Sequence, residues 1–249
     1  MTGARGLQVA AGVVAVAVVA VAGVVLGLNL AEDDPSTISP PTTTPDLTTT
    51  TSAAVTTTSA PEATDDSTEA AAVWPFAETS QRFDDPAAAA RSFAVELAGF
   101  PEDLVLGDFR EGDARSGEVE VRASERGPVT TVAVRQVGED DTWWVVGAKT
   151  ENLELDDPGA GELVTSPLAV TGRGRAFEGT IEVELRADNE LEPIGATFAT
   201  AGASEMRPFA ARVDFDTPES ERGVLMLLSR SAEDGAVTEA TVVRVRFRE

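Results

Sequence analysis

Residues 166–185 read SPLAVTGRGRAFEGTIEVEL, two short runs of alternating apolar and polar residues, 168–172 and 180–185, around a turn that ends in Gly179. Side chains of successive strand residues point to opposite faces, so this alternation predicts half-buried strands. Further runs of the same kind follow outward from this stretch, at 153–155, 194–199, 210–215, 223–228 and 241–247. Asp157-Pro158-Gly159, Ala187-Asp188-Asn189, Ala201-Gly202 and Glu233-Asp234-Gly235 punctuate them. No helical period interrupts the series. Seven short strands at regular spacing predict a C-terminal all-β sandwich of immunoglobulin-like architecture over residues 151–249. Within it, Phe177 of the Phe177-Glu178-Gly179 turn is expected to plug the core, with Gly179 supplying a backbone conformation other residues avoid. The alternative is a loop-borne binding site at one end of the sandwich.

Residues 73–150 read differently. Asp85 is a helix N-cap, Pro86 suits the first helical position, and Gly99 stops the run AAAARSFAVELAG. Ala89, Phe93 and Leu97 fall on one face at i, i+4 spacing. Three extended segments follow, 118–122, 129–137 and 142–148, with turns at 126–128 and 138–141. This predicts a small α+β domain, one helix on an antiparallel sheet. Trp143 and Trp144 are adjacent in a strand and must face opposite ways. One packs beneath the Phe93/Leu97 stripe. The other needs cover from loops or from the second domain, or else forms an exposed aromatic platform.

Toward the N-terminus, residues 7–31 form an apolar run without a charge. Roughly 20 apolar residues at about 1.5 Å rise match a hydrocarbon core of roughly 30 Å. The expectation is a single-pass, uncleaved signal-anchor. Its length exceeds that of a secretory signal core, and Asn29 is a poor residue three positions before a cut after Ala31. Arg5, in a short cytoplasmic head of residues 1–6, favours a cytoplasmic N-terminus and extracytoplasmic C-terminal domains. Gly23 and Gly27 form a G-x-x-x-G pair that would let two spans approach closely as a weak homodimer. Residues 32–72, dominated by Thr, Ser, Pro and Ala, are expected to be a disordered linker, because too few apolar residues are present to offset the entropy of ordering.

The formal net charge is −24, which argues against nucleic acid and anionic lipid surfaces as partners. There is no His and no Cys, so Ser-His and Cys-His nucleophile pairs, thiol chemistry and most zinc sites are excluded. Lys149, the only lysine, follows no S-x-x-K motif, and no nucleotide-binding fingerprint occurs. The pairs Asp84-Asp85, Asp140-Asp141 and Asp156-Asp157 lack the spacing of a calcium loop. No residue is therefore assigned as catalytic, cofactor-binding or metal-ligating, and no cofactor is expected.

The string from Ser166 to Leu185 resembles the immunoglobulin-like domain of bacterial spore germination proteins. The likeness continues through Pro208-Phe209, Val213 and Phe215, Gly223 and Leu225, and residues 231–235 (SAEDG). The resemblance implies a cell-envelope module without catalytic residues. The expected function is a membrane-anchored extracytoplasmic binding or scaffold protein of the bacterial envelope, linked by family to spore germination or envelope biology. Its expected partner is an envelope protein or a cell-wall polymer, and it should not be an enzyme. Two alternatives stay open: a sensory or regulatory ectodomain subunit of a membrane complex, and a cell-wall-modifying enzyme.

Overall fold

Asp85 sets the start of the only regular α-helix among the described residues beyond the first few, α1 (Pro86–Ser92). Its side chain accepts a hydrogen bond from the Ala88 amide at 2.7 Å, satisfying a donor the helix itself leaves unpaired. The helix widens into a π-helical stretch, Phe93–Ala98, and ends at Gly99, whose left-handed backbone (φ 83) closes it. Replacing Asp85 with alanine is expected to lower stability by about 1 kcal/mol, read as the shift of a urea-unfolding curve. An unshifted curve would mean that the cap adds nothing to the packed helix. Ala89, Phe93, Ala94 and Leu97 are buried, so the stripe seen in the sequence is the packing face.

The computed structural model describes residues 70–248. The expected span at 7–31, its Gly23/Gly27 pair and the linker up to residue 69 lie outside the described residues; the linker's expected end at 72 is too late, because Ala72 is buried against Trp144 and belongs to the folded part. Among those described, no helix is long and apolar enough to cross a membrane.

Among the described residues thirteen strands are formed: β1 (Val105–Leu106), β2 (Arg110–Asp113), β3 (Ser116–Arg122), β4 (Thr130–Val137), β5 (Thr142–Lys149), β6 (Leu153–Asp157), β7 (Glu162–Val164), β8 (Leu168–Gly174), β9 (Thr180–Ala187), β10 (Gly195–Thr200), β11 (Arg207–Val213), β12 (Arg222–Arg230) and β13 (Val237–Phe247). All ten strands expected from the sequence are present. β1, β2 and β7 are additional. β2 is exposed throughout and carries no alternation, and β7 pairs parallel with β13, a partner distant in sequence.

The large sheet runs β1-β3-β4-β5-β13-β12-β9-β10, with β2 on β3 and β7 on β13. A second sheet, β11-β8-β6, faces its C-terminal part. Leu153, Val170, Ile181, Leu185, Leu225 and Val245 belong to the core between them, which makes the C-terminal region an immunoglobulin-like sandwich. The sandwich is not closed off from the helix. β12 is buried on both faces: Leu225 and Leu227 enter the sandwich core, while Val224, Met226 and Leu228 join Phe93 and Leu97 beneath the helix. The unbroken apolar run VLMLL at 224–228 is what such double burial demands. β13 carries the same sheet onward to β5 through Val242 and Ala148.

Trp143 and Trp144 do face opposite ways. Trp143 borders the helix-side core, edge-on to Phe109 at 5.2 Å between ring centroids. Trp144 is buried with Ala72 and Val137 on the other face, so it offers no exposed platform. Its cover comes from the segment leading into the helix and not from the sandwich. The Arg82 guanidinium lies 4.8 Å from the Trp144 ring centroid, a cation–π contact, and the indole donates to Thr142 Oγ1 at 3.0 Å. The same segment hydrogen-bonds β5, with the Val145 amide donating to Trp74 O at 2.7 Å.

Buried charges tie the sandwich to the helix. Glu184 Oε2 accepts from Arg186 Nε at 3.0 Å and Nη2 at 2.5 Å, and its Oε1 accepts from Arg230 Nη2 at 3.1 Å. Arg186 Nη1 in turn donates to Leu97 O at 2.8 Å, satisfying a carbonyl in the last turn of the helix. Farther along, Arg244 is bound by Asp188 while its Nε is buried without a partner. Burial lowers the Arg244 pKa from its ordinary value, against the opposing pull of Asp188.

Candidate functional site

The Phe177-Glu178-Gly179 turn is the element that the structure changes most. Phe177 is 60% exposed and is no core plug. Ala176 beside it is the buried residue, and Ile181 fills the core at the start of β9. The turn is rigidly held. Glu178 and Gly179 both have left-handed backbones (φ 54 and 71). Gly179 N donates to Ala176 O at 2.9 Å, Ala201 N to Gly179 O at 2.7 Å, and Ala176 N to Gly202 O at 3.0 Å. A Cβ at Gly179 would stand 2.9 Å from Ala201 O, so glycine is required here both by φ and by the close backbone approach. The ring lies outside the core, so core packing does not account for a phenylalanine at this position.

A second exposed ring lies on the strand next to that turn. Phe198, at the centre of β10, is 68% exposed. β10 alternates cleanly: Ala199 is buried, while Ala196, Phe198 and Thr200 face solvent. Thr200 pairs with Thr180, directly after the turn that carries Phe177. The sequence contained a signal for this surface that alternation alone did not rank. GATFAT has an aromatic at an outward position and no charge, in a chain with 25% charged residues.

A concavity of about 930 Å³ opens where β5 passes into β6, lined among others by Arg110, Lys149, Asn152, Leu153, Arg175 and Val243. Its cations are already engaged. Arg110 lies 3.2 Å from Glu120, Lys149 3.4 Å from Glu118, and Arg175 donates to Asn152 Oδ1 at 2.6 Å. Asn152 and Thr150 in turn donate to the buried Glu239 at 2.7 Å each. The Lys149 ammonium thus faces a carboxylate and not a serine hydroxyl, which is the arrangement of an ion pair. Of the aspartate pairs, Asp85 is spent on the helix cap and Asp141 lies 3.1 Å from Arg115. Among the described residues, no three potential ligand side chains gather as a metal site.

Comparison with curated proteins and with solved structures returned no match. One family model does match, over less than half of the chain, and the match ends where β13 begins. Residues 152–236, which supply most of the sandwich and bear both exposed rings, match the immunoglobulin-like domain of bacterial spore germination.

Proposed function

We propose that this protein is a membrane-anchored, extracytoplasmic binding or scaffold protein of the bacterial cell envelope, and that it meets its partner at the Phe177/Phe198 end of the sandwich. The observation that carries the reading is Phe177, a large apolar ring held outward on a hydrogen-bonded turn within the matched domain. The family match supports a germination-related role. The uncharged run at 7–31 supports the anchor, with the Thr/Ser/Pro-rich residues 32–69 as spacer and the N-terminus in the cytoplasm. The partner is an envelope protein or a wall polymer. Binding without catalysis is supported by the lack of His and Cys and by a matched domain that is not a catalytic family.

The test places a photocrosslinking amino acid at position 177 or 198 of the full-length protein in native cells, followed by mass spectrometry of the adducts. A specific envelope adduct is expected at both positions. Phe177→Ala and Phe198→Ala should change stability by less than about 0.5 kcal/mol, since both sites are exposed, yet abolish crosslinking from the neighbouring site. Undiminished crosslinking in both alanine variants, or reproducible hydrolysis of wall fractions by the purified protein, would sink the proposal.

A further inference from the structure

We propose that the groove where β5 passes into β6 binds the free carboxylate end of a short aliphatic peptide, with Arg175 as the group that takes the carboxylate. The site is separate from the Phe177/Phe198 surface and adds a small ligand at the junction of the two halves of the folded chain. The groove holds about 930 Å³ and draws its lining from both halves. That size lies within the roughly 300–1,000 Å³ of small-molecule clefts.

Arg175 directly follows β8 and is exposed, yet its guanidinium is positioned from behind. Nη2 donates to Asn152 Oδ1 at 2.6 Å. Asn152 Nδ2 and Thr150 Oγ1 each donate to Glu239 Oε2 at 2.7 Å, and Glu239 is buried on β13. The same wall is fixed a second time, because Thr241 Oγ1 donates to Leu153 O at 2.6 Å. Charge separates Arg175 from the other two cations of the groove. Arg110 is paired with Glu120 and Lys149 with Glu118. Arg175 is engaged by a neutral amide and makes no ion pair among the described residues. A planar guanidinium held in this way keeps N–H donors for a carboxylate, the anion whose geometry it matches.

The rest of the lining selects the ligand. Val129, Leu155 and Val243 are half-buried there and present aliphatic surface. No aromatic ring lines the groove, whereas sugar rings and nucleobases are gripped mainly by stacking on such rings. Glu120, Glu151 and Glu154 also line it. A ligand with several negative charges is repelled by them, while a single carboxylate can settle on Arg175. A basic group elsewhere on the ligand meets these glutamates as opposite charge. Aliphatic side chains, one free carboxylate and an amine are together the chemistry of a short peptide with a free C-terminus.

The experiment uses the full-length protein in mild detergent and short dye-labelled peptides of alanine and valine with one lysine, read by fluorescence anisotropy. One peptide ends in a free carboxylate and the other in a carboxamide. The acid should bind at least about tenfold more tightly than the amide. Arg175→Gln should remove that difference in protein whose thermal midpoint is unchanged. Arg173→Gln, at an exposed arginine of β8 outside the groove, should preserve it. Phe198→Ala should leave peptide binding intact, so this site and the Phe177/Phe198 surface can fail independently. Equal binding of acid and amide, or an acid preference that survives Arg175→Gln, would overturn the carboxylate assignment. Displacement of the peptide by an equal concentration of inorganic phosphate would overturn the peptide and give Arg175 to a phosphate ligand. Loss of binding in Phe198→Ala would overturn the separateness of the site, and absence of binding by either peptide would overturn the proposal outright.

Discussion

Replacing Phe93 with alanine is expected to destabilise the protein by about 3–5 kcal/mol, in a single transition that carries both halves of the folded chain with it. Phe93 is fully buried in a core that draws Val119, Val132 and Val145 from the N-terminal strands and Val224, Met226 and Val242 from β12 and β13. A cavity there removes contacts from both sets at once. All three tryptophans, Trp74, Trp143 and Trp144, lie in the N-terminal half, so their fluorescence reports that half alone. Hydrogen exchange of amides in β9 and β12 reports the sandwich. The two probes should lose stability together. Weakened tryptophan signals beside unchanged protection in β9 and β12 would show that the halves unfold separately despite their shared sheet.

The second large effect is expected at Glu184. Its carboxylate is buried and accepts hydrogen bonds from two arginines, one of which also holds the last turn of the helix through Leu97 O. Glu184→Ala leaves Arg186 buried without its anion, and removal of one partner of a buried pair costs about 3–5 kcal/mol. Chemical denaturation of Glu184→Ala beside Phe177→Ala makes the contrast plain. The exposed phenylalanine should cost less than about 0.5 kcal/mol, although side-chain hydrophobicity alone ranks the two sites in reverse. A loss below about 1 kcal/mol for Glu184→Ala would mean that Glu182 takes over the arginines.

The reversal at these two sites shows which kind of information a sequence carries. A phenylalanine at 177 reads as core and a glutamate at 184 as surface, because single-residue preference is all that is visible. Ala176 and Ile181 occupy the interior around the turn, which leaves the ring of Phe177 outside. Glu184 lies on the face of β9 that continues toward the helix, where Arg186, two residues on along the same face, and the distant Arg230 converge on it. The family resemblance of residues 166–185, by contrast, was legible, and the domain match confirms it, because turn glycines and strand alternation are written in adjacent residues.

By itself the sequence determined what depends on neighbours a few positions apart. These are the Asp85 cap and Gly99 stop of the helix, its buried stripe, ten of the strands, the opposite facing of Trp143 and Trp144, and the sandwich class of the C-terminal region. Tertiary structure decided what depends on which distant surfaces meet. It joined β13 to β5, so that one sheet serves both helix and sandwich, covered Trp144 with the segment leading into α1, and turned Phe177 outward. Alternation specifies that a strand has two faces. Which partner covers each face is settled only when the whole chain competes to bury its apolar surface, and β12, apolar on both faces, needed two partners.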